Sequence, residues 1–228
     1  MKCIKDFVII LAISAVHFCS LAQELKVFIN PVFNSQSLDL SAEFEVKEHC
    51  IKTFKCYLTS FELLKDNRIV WTEENSNHLI DASLPESKLL NLNVPKDLQY
   101  NQISFLVGVD SLTSVSGAFG GDLDPTKGMY WAWNSGYVNL KLEGFHPNSS
   151  SPNNEFEFHL GGYLPPFQTV QRVCLFCAMN SPLEINIDLD TFIKSIDLEA
   201  ISKIMSPGEK AKEMSIIAAK YFSCKYEK

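Results

Sequence analysis

Apolar and polar residues alternate with a period of two over much of the chain. Apolar side chains recur at every second position over residues 25–29 and again over residues 40–46. This alternation is typical of a strand that packs one face on a core. Asn30-Pro31 and Asn34-Ser35 are expected to break the chain between these two strands. The pattern therefore predicts a domain that begins with β structure.

A hairpin is predicted next. Residues 54–64 and 69–72 are rich in β-branched and aromatic side chains, and they flank Lys65-Asp66-Asn67-Arg68. The Asp-Asn centre of that segment suits a tight turn between two strands. The following stretch, residues 73–99, is less regular and punctuated by prolines, which favours a connection that carries short strands.

Alternation predicts several more strands in the second half of the chain, and these lie at residues 103–109, 129–133, 137–142, 156–160, 169–177 and 183–189. In the second of them, Trp131 and Trp133 fall on one face and Tyr130 and Ala132 on the other. Residues 111–127, rich in Gly, Ser and Asp, are expected to form a loop.

The end of the chain changes from period two to helical spacing. Ser206-Pro207-Gly208-Glu209 has the residues of a capping box, with Ser206 as N-cap. Helical spacing then relates Ala211, Met214, Ser215, Ala218 and Phe222. The whole pattern predicts a mainly β protein, a single antiparallel β-sandwich closed by a C-terminal α-helix.

The first 22 residues have the features of a secretory signal peptide. Lys2 and Lys5 precede an apolar run at residues 7–16, and Ser20-Leu21-Ala22 offers a cleavage site. We therefore expect residues 1–22 to be removed and residues 23–228 to form one domain that is periplasmic or secreted. The apolar run is too short for a membrane span, and no later stretch is long enough.

Charge narrows the classes of partner. The formal net charge is −7, so the chain lacks the basic surface that binding to nucleic acid or to an anionic membrane requires. A cation or a basic partner fits better.

Cysteines permit disulfides but do not define them. Of the seven cysteines, Cys3 and Cys19 lie in the predicted signal peptide, which leaves an odd number in the domain. Cys174 and Cys177 are predicted to lie in a strand, where their Cα atoms would be about 10 Å apart, beyond disulfide reach. A pairing such as Cys50 with Cys56 is favoured over it, and a thiol redox enzyme is disfavoured.

The candidate chemistry gathers in residues 105–162, which contain nine of the ten glycines and two of the three tryptophans. His159, on the strand face opposite Phe158, would by itself be interpreted as a structural histidine, and paired tryptophans as core. The carboxylates in the glycine-rich loop do not have EF-hand spacing and are interpreted as turn-stabilising groups; they are Asp110, Asp122 and Asp124. With no catalytic triad, phosphate loop or HExxH motif, no catalysis is predicted.

Two motifs carry a family resemblance. Gly128-Met129-Tyr130-Trp131-Ala132-Trp133-Asn134-Ser135-Gly136-Tyr137, followed by Phe158-His159-Leu160-Gly161-Gly162, resembles the MbnP family of periplasmic copper-binding proteins. The resemblance implies a non-catalytic protein in which copper is held by histidine, here His159, and by a tryptophan oxidised to kynurenine. Trp131 or Trp133 would be that tryptophan, with Trp131 slightly favoured. It also implies a separate MauG-like dihaem partner enzyme that performs the oxidation.

One position departs from the family pattern. Many members carry a histidine shortly before a Met-x-Pro-Gly turn, and Ser202 stands there in this chain. The resemblance thus implies weaker copper binding here, and higher affinity after Ser202→His. The remaining candidates to replace that histidine are interpreted as solvated loop residues; they are His49, His78 and His146. The alternative is a metal-free MbnP-like module that contacts a partner or a carbohydrate through exposed aromatic side chains.

Overall fold

The computed structural model describes residues 22–40, 49–179 and 182–225. Within this part the chain is mainly β, as predicted. The first seven strands are β1 (Ala22–Phe33), β2 (Gln36–Ser37), β3 (Cys50–Lys65), β4 (Arg68–Thr72), β5 (Asn77–Asp81), β6 (Leu89–Pro95) and β7 (Gln102–Val107). The others are β8 (Tyr130–Trp131), β9 (Gly136–Phe145), β10 (Glu155–Gly161), β11 (Gln171–Phe176), β12 (Leu183–Asp188), β13 (Lys203–Ile204) and β14 (Phe222–Cys224). The helices are α1 (Ser111–Val115), α2 (Leu189–Lys194) and α3 (Glu209–Ala218).

The strands form two sheets. A five-stranded sheet has the order β14-β12-β1-β2, with β6 also paired to β1. A nine-stranded sheet has the order β11-β7-β3-β9-β10-β13, with β4 and β5 on β3 and β8 on β9. The prediction of wholly antiparallel sheets is wrong in two places, because β1 pairs with β12 and β10 pairs with β13 in parallel. The arrangement is sandwich-like, with mixed sheets.

One large apolar core lies between the sheets. The five-stranded sheet contributes Val27, Ile29 and Ile185, while the nine-stranded sheet contributes Phe105 and Leu142, all essentially inaccessible to solvent. Burial of this apolar surface is the main free-energy gain on folding. It also fixes which face of each strand is left for a site: the face that points away from this core.

β1 runs further than its sequence suggests. The expected break at Asn30-Pro31 is absent, because Pro31 continues the strand opposite Ile187. The Pro31 carbonyl accepts from the Leu38 N–H at 2.7 Å. In a strand the N–H and C=O of one residue point to the same side, so the N–H that proline lacks would also point to the side of β6 and β2. At Pro31 that side has no strand partner, because the pairing with β6 ends at Phe28 and the pairing with β2 begins at Val32. A proline there removes no sheet hydrogen bond.

Two predicted turns are confirmed. Asn34 and Ser35 have positive φ angles and connect β1 to β2, and Asp66 and Asn67 (φ 49° and 65°) connect β3 to β4 as a two-residue hairpin loop. The strand predicted at residues 40–46 lies almost wholly outside the described residues, as does the predicted signal peptide apart from Ala22.

The C-terminal helix is confirmed, but its predicted cap is wrong. α3 begins at Glu209 with extended Gly208 as N-cap, and no side chain caps it. Pro207 is instead close to Gly162 of the loop after β10, at 3.2 Å from where a Gly162 Cβ would lie. Phe222 belongs to β14 rather than to the helix. Among the described residues, no helix is long and apolar enough to cross a membrane.

Candidate functional site

The hairpin of β9 and β10 forms the platform of the candidate site. Its register pairs His159 with Lys141 and Glu157 with Glu143. Alternate residues of both strands enter the main core, so Lys141, Glu143 and His159 point to the other face of the sheet. β3 borders β9 there and places Thr53 opposite Glu143.

His159 and Glu143 form a tight polar pair on this face. The His159 Nε2 atom lies 2.6 Å from Glu143 Oε1, and the side chains are 10% and 19% exposed. The hydrogen bond from His159, with further help from Thr53 and Lys141, lowers the pKa of Glu143 to about 2 against the opposing effect of burial. Glu143 is therefore a carboxylate over the physiological pH range, and it orients the imidazole.

Lys141 joins the sheet to the loop that leads into the aromatic motif. Its Nζ donates to the Gly128 carbonyl at 2.7 Å. Burial lowers the pKa of Lys141, and nearby Glu143 partly offsets that effect. The ammonium thus holds the start of residues 128–131 over the same sheet face as His159.

The two tryptophans have different environments. β8 ends at Trp131, and a four-residue turn, residues 132–135, leads back to β9 by pairing Trp131 with Gly136. The prediction of a strand through Trp133 is therefore wrong, because the chain already reverses there. Trp131 is 7% exposed and Trp133 is 66% exposed, and their rings lie 5.5 Å apart between centroids.

Trp131 lies against β10 at Gly161, two residues beyond His159. A Cβ at Gly161 would be 2.7 Å from Trp131 Cζ3 and 2.6 Å from the Tyr137 carbonyl oxygen, so only glycine leaves room for the indole. A register shift between Leu160 and Gly161 accompanies this contact. The structure thus brings Trp131 to the strand of His159, whereas Trp133 extends from the turn into solvent.

A second apolar cluster supports the aromatic motif. It consists of Tyr57, Leu79, Val109, Leu123, Met129, Trp131, Tyr137 and Val138. The hydroxyls of Tyr57 and Tyr137 donate to the carbonyls of Asp122 and Leu123, each at 3.1 Å. These bonds tie the glycine-rich loop to the sheet face that carries the site.

Two of the three loop carboxylates, Asp110 and Asp124, stabilise turns as predicted, whereas Asp122 binds β5. Asp110 accepts from the Thr113 N–H at the start of α1, and Asp124 accepts from the Thr126 N–H at 2.8 Å. Asp122 accepts from the Leu79 N–H and from Lys127. Each carboxylate therefore has hydrogen-bond donors within the protein.

Two structurally important residues were missed by the sequence reasoning. Glu143 lies one residue beyond the strand predicted at residues 137–142, and only the β9–β10 register shows that it is close to His159. Asn139 accepts from the Val109 N–H at 2.9 Å and donates to Thr169 Oγ1 at 2.8 Å. Its side chain occupies the space where a Cβ of Gly108 (φ 116°) would lie, which explains that glycine.

Ser202 lies beside β10 but is displaced from the site. The Ser202 carbonyl accepts from the Glu157 N–H, and the following Lys203 bonds the Glu157 carboxylate. Lys203 is thus on the His159 side of the sheet, and alternation places Ser202 on the other side. A histidine at position 202 is therefore not expected to join His159.

His49, His78 and His146 are half-buried, so the prediction that they are solvated is wrong, although His49 and His146 do lie outside the strands. His78 belongs to β5, and its Nε2 lies 2.8 Å from Glu73 Oε2. His49 directly precedes β3, and its ring contacts Phe33 and His146 at centroid distances of 5.0 and 4.5 Å.

Cysteine positions correct one prediction. Cys50 and Cys56 lie six residues apart in β3, about 20 Å along an extended strand, so they do not pair. Cys174 lies in β11 and is exposed, while Cys177 follows the strand and is buried. Within the described residues, Cys56, Cys174, Cys177 and Cys224 are free thiols in this structure.

Comparison with known proteins assigns the family. A protein-family model, MbnP, matches residues 22–206. The chain belongs to the MbnP family. A solved structure, MbnP from Methylosinus trichosporium, has the same fold with a TM-score of 0.57 at 15% identity, covering 82% of this chain and 83% of that one. Comparison with curated proteins gave no match.

The MbnP resemblance implies copper, and the side chains present fit it only in part. Within residues 22–40, 49–179 and 182–225, no group of three or more His, Cys, Asp or Glu side chains is arranged to hold a metal ion. The His159–Glu143 pair does have the form of a metal-binding histidine that is oriented by a carboxylate. Among the described residues, a complete site around this pair would need ligands other than His, Cys, Asp or Glu.

Proposed function

We propose that this MbnP-family protein is an exported, non-catalytic copper-binding protein whose metal ligand is His159. The observation that carries the proposal is the 2.6 Å bond between His159 Nε2 and Glu143, on the strand that also seats Trp131. A carboxylate that holds one imidazole nitrogen orients the ring and makes the other nitrogen a better ligand. Nδ1 of His159 is then the nitrogen that would bind copper.

A modified tryptophan would supply a ligand that the unmodified side chains lack. An indole offers a hydrogen-bond donor and no lone pair suited to a metal. Oxidation to kynurenine would create an aromatic amine that can coordinate. Trp131 is the preferred candidate because its ring lies on β10 near His159, whereas exposed Trp133 is accessible to a partner such as a MauG-like dihaem enzyme.

Met205 is a further candidate ligand. The parallel register pairs Glu157 with Lys203 and Phe158 with Ile204, where β13 ends. If the same register and alternation continued by one residue, Met205 would lie opposite His159 on the same side of the sheet. A thioether is a soft ligand that favours Cu(I), and selectivity among metals then depends on geometry and ligand type.

Copper titration tests the proposal. The Cu(I) affinity of protein purified from its own host is measured by competition with a chelator. We expect the affinity to fall at least about tenfold in His159→Ala, since a tenfold change corresponds to about 1.4 kcal/mol for the loss of one good ligand. The loss in Met205→Leu should be smaller. His78→Ala is the matched control, because His78 has the same kind of carboxylate partner, 2.8 Å away, outside the site. That variant should bind as the wild type does.

Two results would contradict the proposal. One is equal affinity of wild type and His159→Ala while both remain folded. The other is an affinity loss in His78→Ala as large as that in His159→Ala. Peptide mass analysis of the same sample locates any kynurenine, as an exchange of one carbon for one oxygen, at Trp131 or Trp133.

A second candidate function is an interaction or carbohydrate-contacting surface without metal. Six of the thirteen exposed large apolar side chains of the described residues lie in α1 and in the loops around Trp133 and Tyr163, and they are Leu112, Val115, Phe119, Trp133, Leu164 and Phe167. The loops are tied together, since Ser111 Oγ donates to the Tyr163 carbonyl at 2.9 Å. In affinity gel electrophoresis, a soluble polysaccharide in the gel would slow the migration of a protein that binds it. Slowed migration that is lost in Trp133→Ala and kept in His159→Ala would favour this candidate.

A further inference from the structure

Two cysteines lie at the ends of strands that belong to different sheets. Cys177 directly follows β11 of the nine-stranded sheet and is 2% exposed. Cys224 is the last residue of β14 in the five-stranded sheet and packs against the same main core, half-buried. The two residues are thus held by opposite walls of one core.

Both side chains point towards that core. Along β11, Val173, Leu175 and Cys177 alternate with outward-facing residues, and the Cys177 N–H donates to the Asn101 carbonyl at 3.1 Å. In β14, Cys224 shares the inward face of Phe222, the ring of which lies 5.6 Å from that of Phe105.

The contact between Phe222 and Phe105 aligns the two strands. Phe105 is the register partner of Val173 in β11, so Phe222 packs across the core from the middle of β11. From these facing residues, Cys224 is two residues further along β14, and Cys177 is four further along β11. β11 and β14 are in contact, and each cysteine lies at the C-terminal end of its strand.

Electrostatic interactions link Cys177, Cys224 and Tyr100, which is consistent with the contact between the strands. Burial raises the pKa of Tyr100 to about 12, with contributions from both Cys177 and Cys224. Burial likewise raises the pKa of Cys177 to about 12, with Cys224 as the larger of two neighbouring contributions and Cys174 as the smaller. Tyr100 precedes the residue that binds the Cys177 N–H, which agrees with the backbone geometry.

We propose that Cys177 and Cys224 form a disulfide that links the two sheets when the protein is in an oxidising compartment. The other thiols are unsuited to this role. Cys50 and Cys56 are far apart in one strand, and Cys174 lies on the outward face of β11. The proposal is independent of copper binding.

The reaction is thiol–disulfide exchange with an oxidant that is itself a disulfide, either of an oxidoreductase or of glutathione. The Cys224 thiolate, on the more accessible residue, attacks the oxidant and releases one thiol. Cys177 then loses its proton and attacks the Cys224 sulfur, which releases the second thiol of the oxidant. The protein loses two electrons and two protons, and the oxidant gains them.

The high pKa of Cys177 makes the second step pH-dependent. Only the thiolate attacks, so the closing rate should rise about tenfold per pH unit while the pH stays below that pKa. The bond forms between residues of separate sheets, so it would restrict the unfolded chain over the long loop between them.

Peptide mapping tests the pairing. The full mature chain is equilibrated with oxidised glutathione, unfolded without reductant, alkylated and digested. We expect a linked peptide that contains Cys177 and Cys224, with alkyl groups on Cys50, Cys56 and Cys174. Full alkylation of Cys177 and Cys224, or a link from Cys177 to Cys174, would overturn the proposal.

Thermal unfolding gives a second readout that does not require a foldable variant. We expect a reductant to lower the Tm of the oxidised wild type by about 5–15 °C. Cys224→Ser should have the lower Tm with or without reductant, while the matched Cys174→Ser should keep the reductant-sensitive Tm. A wild-type Tm that does not change on reduction also contradicts the disulfide.

Discussion

Glu143 receives hydrogen bonds from two neighbouring strands, from His159 on β10 and from Thr53 on β3. Each hydrogen bond favours the ionised form of the Glu143 carboxyl group. Because the donors come from β10 and β3 and Glu143 itself from β9, protonation of Glu143 would weaken contacts among three neighbouring strands. Residue identity alone did not reveal this role. The sequence predicts His159 on the outward face of a strand and ends the neighbouring strand one residue before Glu143, and it does not define the register that makes the two residues diagonal neighbours.

A pH-dependent stability follows from this pair. The pKa of Glu143 is 4.5 in its reference state and about 2 in the folded protein, so its contribution is present above about pH 4.5 and is lost as the pH falls towards 2. The full loss is up to about 3 kcal/mol. We expect the free energy of unfolding, measured with urea, to fall less steeply in Glu143→Gln than in the wild type as the pH is lowered from about 4.5 to about 3.

Glu157→Gln is the control for that measurement. Glu157 is on the same strand face and bonds Lys203, but it is 35% exposed and its partner is 61% exposed. An exposed ion pair contributes little, so this variant should keep nearly the wild-type slope. If Glu143→Gln kept the wild-type slope as well, the ionisation of Glu143 would not contribute to acid sensitivity.

At the scale of elements, the sequence predicted correctly those features that depend on residues close together in the chain. The Asp66-Asn67 hairpin and helix α3 were predictable, because a two-residue turn and a helical repeat depend on nearby residues. The different environments of Trp131 and Trp133 could not be predicted. The alternation of apolar and polar residues that is typical of a strand continues past Trp131, where the chain in fact turns. The parallel pairing of β1 with β12 joins residues about 150 positions apart and leaves no local pattern.

Gly161 is the element-scale contact that seats the aromatic motif on β10. A methyl group there would lie 2.6 Å from the Tyr137 carbonyl oxygen and 2.7 Å from Trp131 Cζ3. We expect Gly161→Ala to destabilise the fold by about 1–3 kcal/mol through overpacking. Trp131 should move towards solvent, which a red shift of tryptophan fluorescence would detect.

Gly120→Ala is the comparison for Gly161→Ala. Gly120 has a φ of −92°, and a Cβ there meets no atom within 4 Å. Its unfolding free energy should differ from wild type by less than about 0.5 kcal/mol, as for most surface changes. If both variants were equally stable, Trp131 would not be held as closely to β10 as the geometry indicates.

At the scale of the whole molecule, the sandwich is closed by a segment beyond the family match. The family model ends at residue 206, yet α3 and β14 follow it and bury side chains in the main core. α3 covers that core with Ala211, Met214 and Ala218. The end of the chain is thus part of the domain's stability, and both walls of the core depend on it.

Phe222 tests this closure because it touches both sheets. It pairs with Ile187 in the five-stranded sheet, and its ring lies 5.6 Å from that of Phe105 in the nine-stranded sheet. It is 5% exposed, so Phe222→Ala should lower the free energy of unfolding by about 3–5 kcal/mol.

Ile216 on α3 provides the control: it is 39% exposed, and Ile216→Ala should lower the free energy of unfolding by less than about 1 kcal/mol. Urea unfolding of both variants measures the difference. Equal, small losses would mean that the sandwich is already stable without residues 207–225. A large loss confined to Phe222→Ala would show that β14 is an integral part of the core between the two sheets.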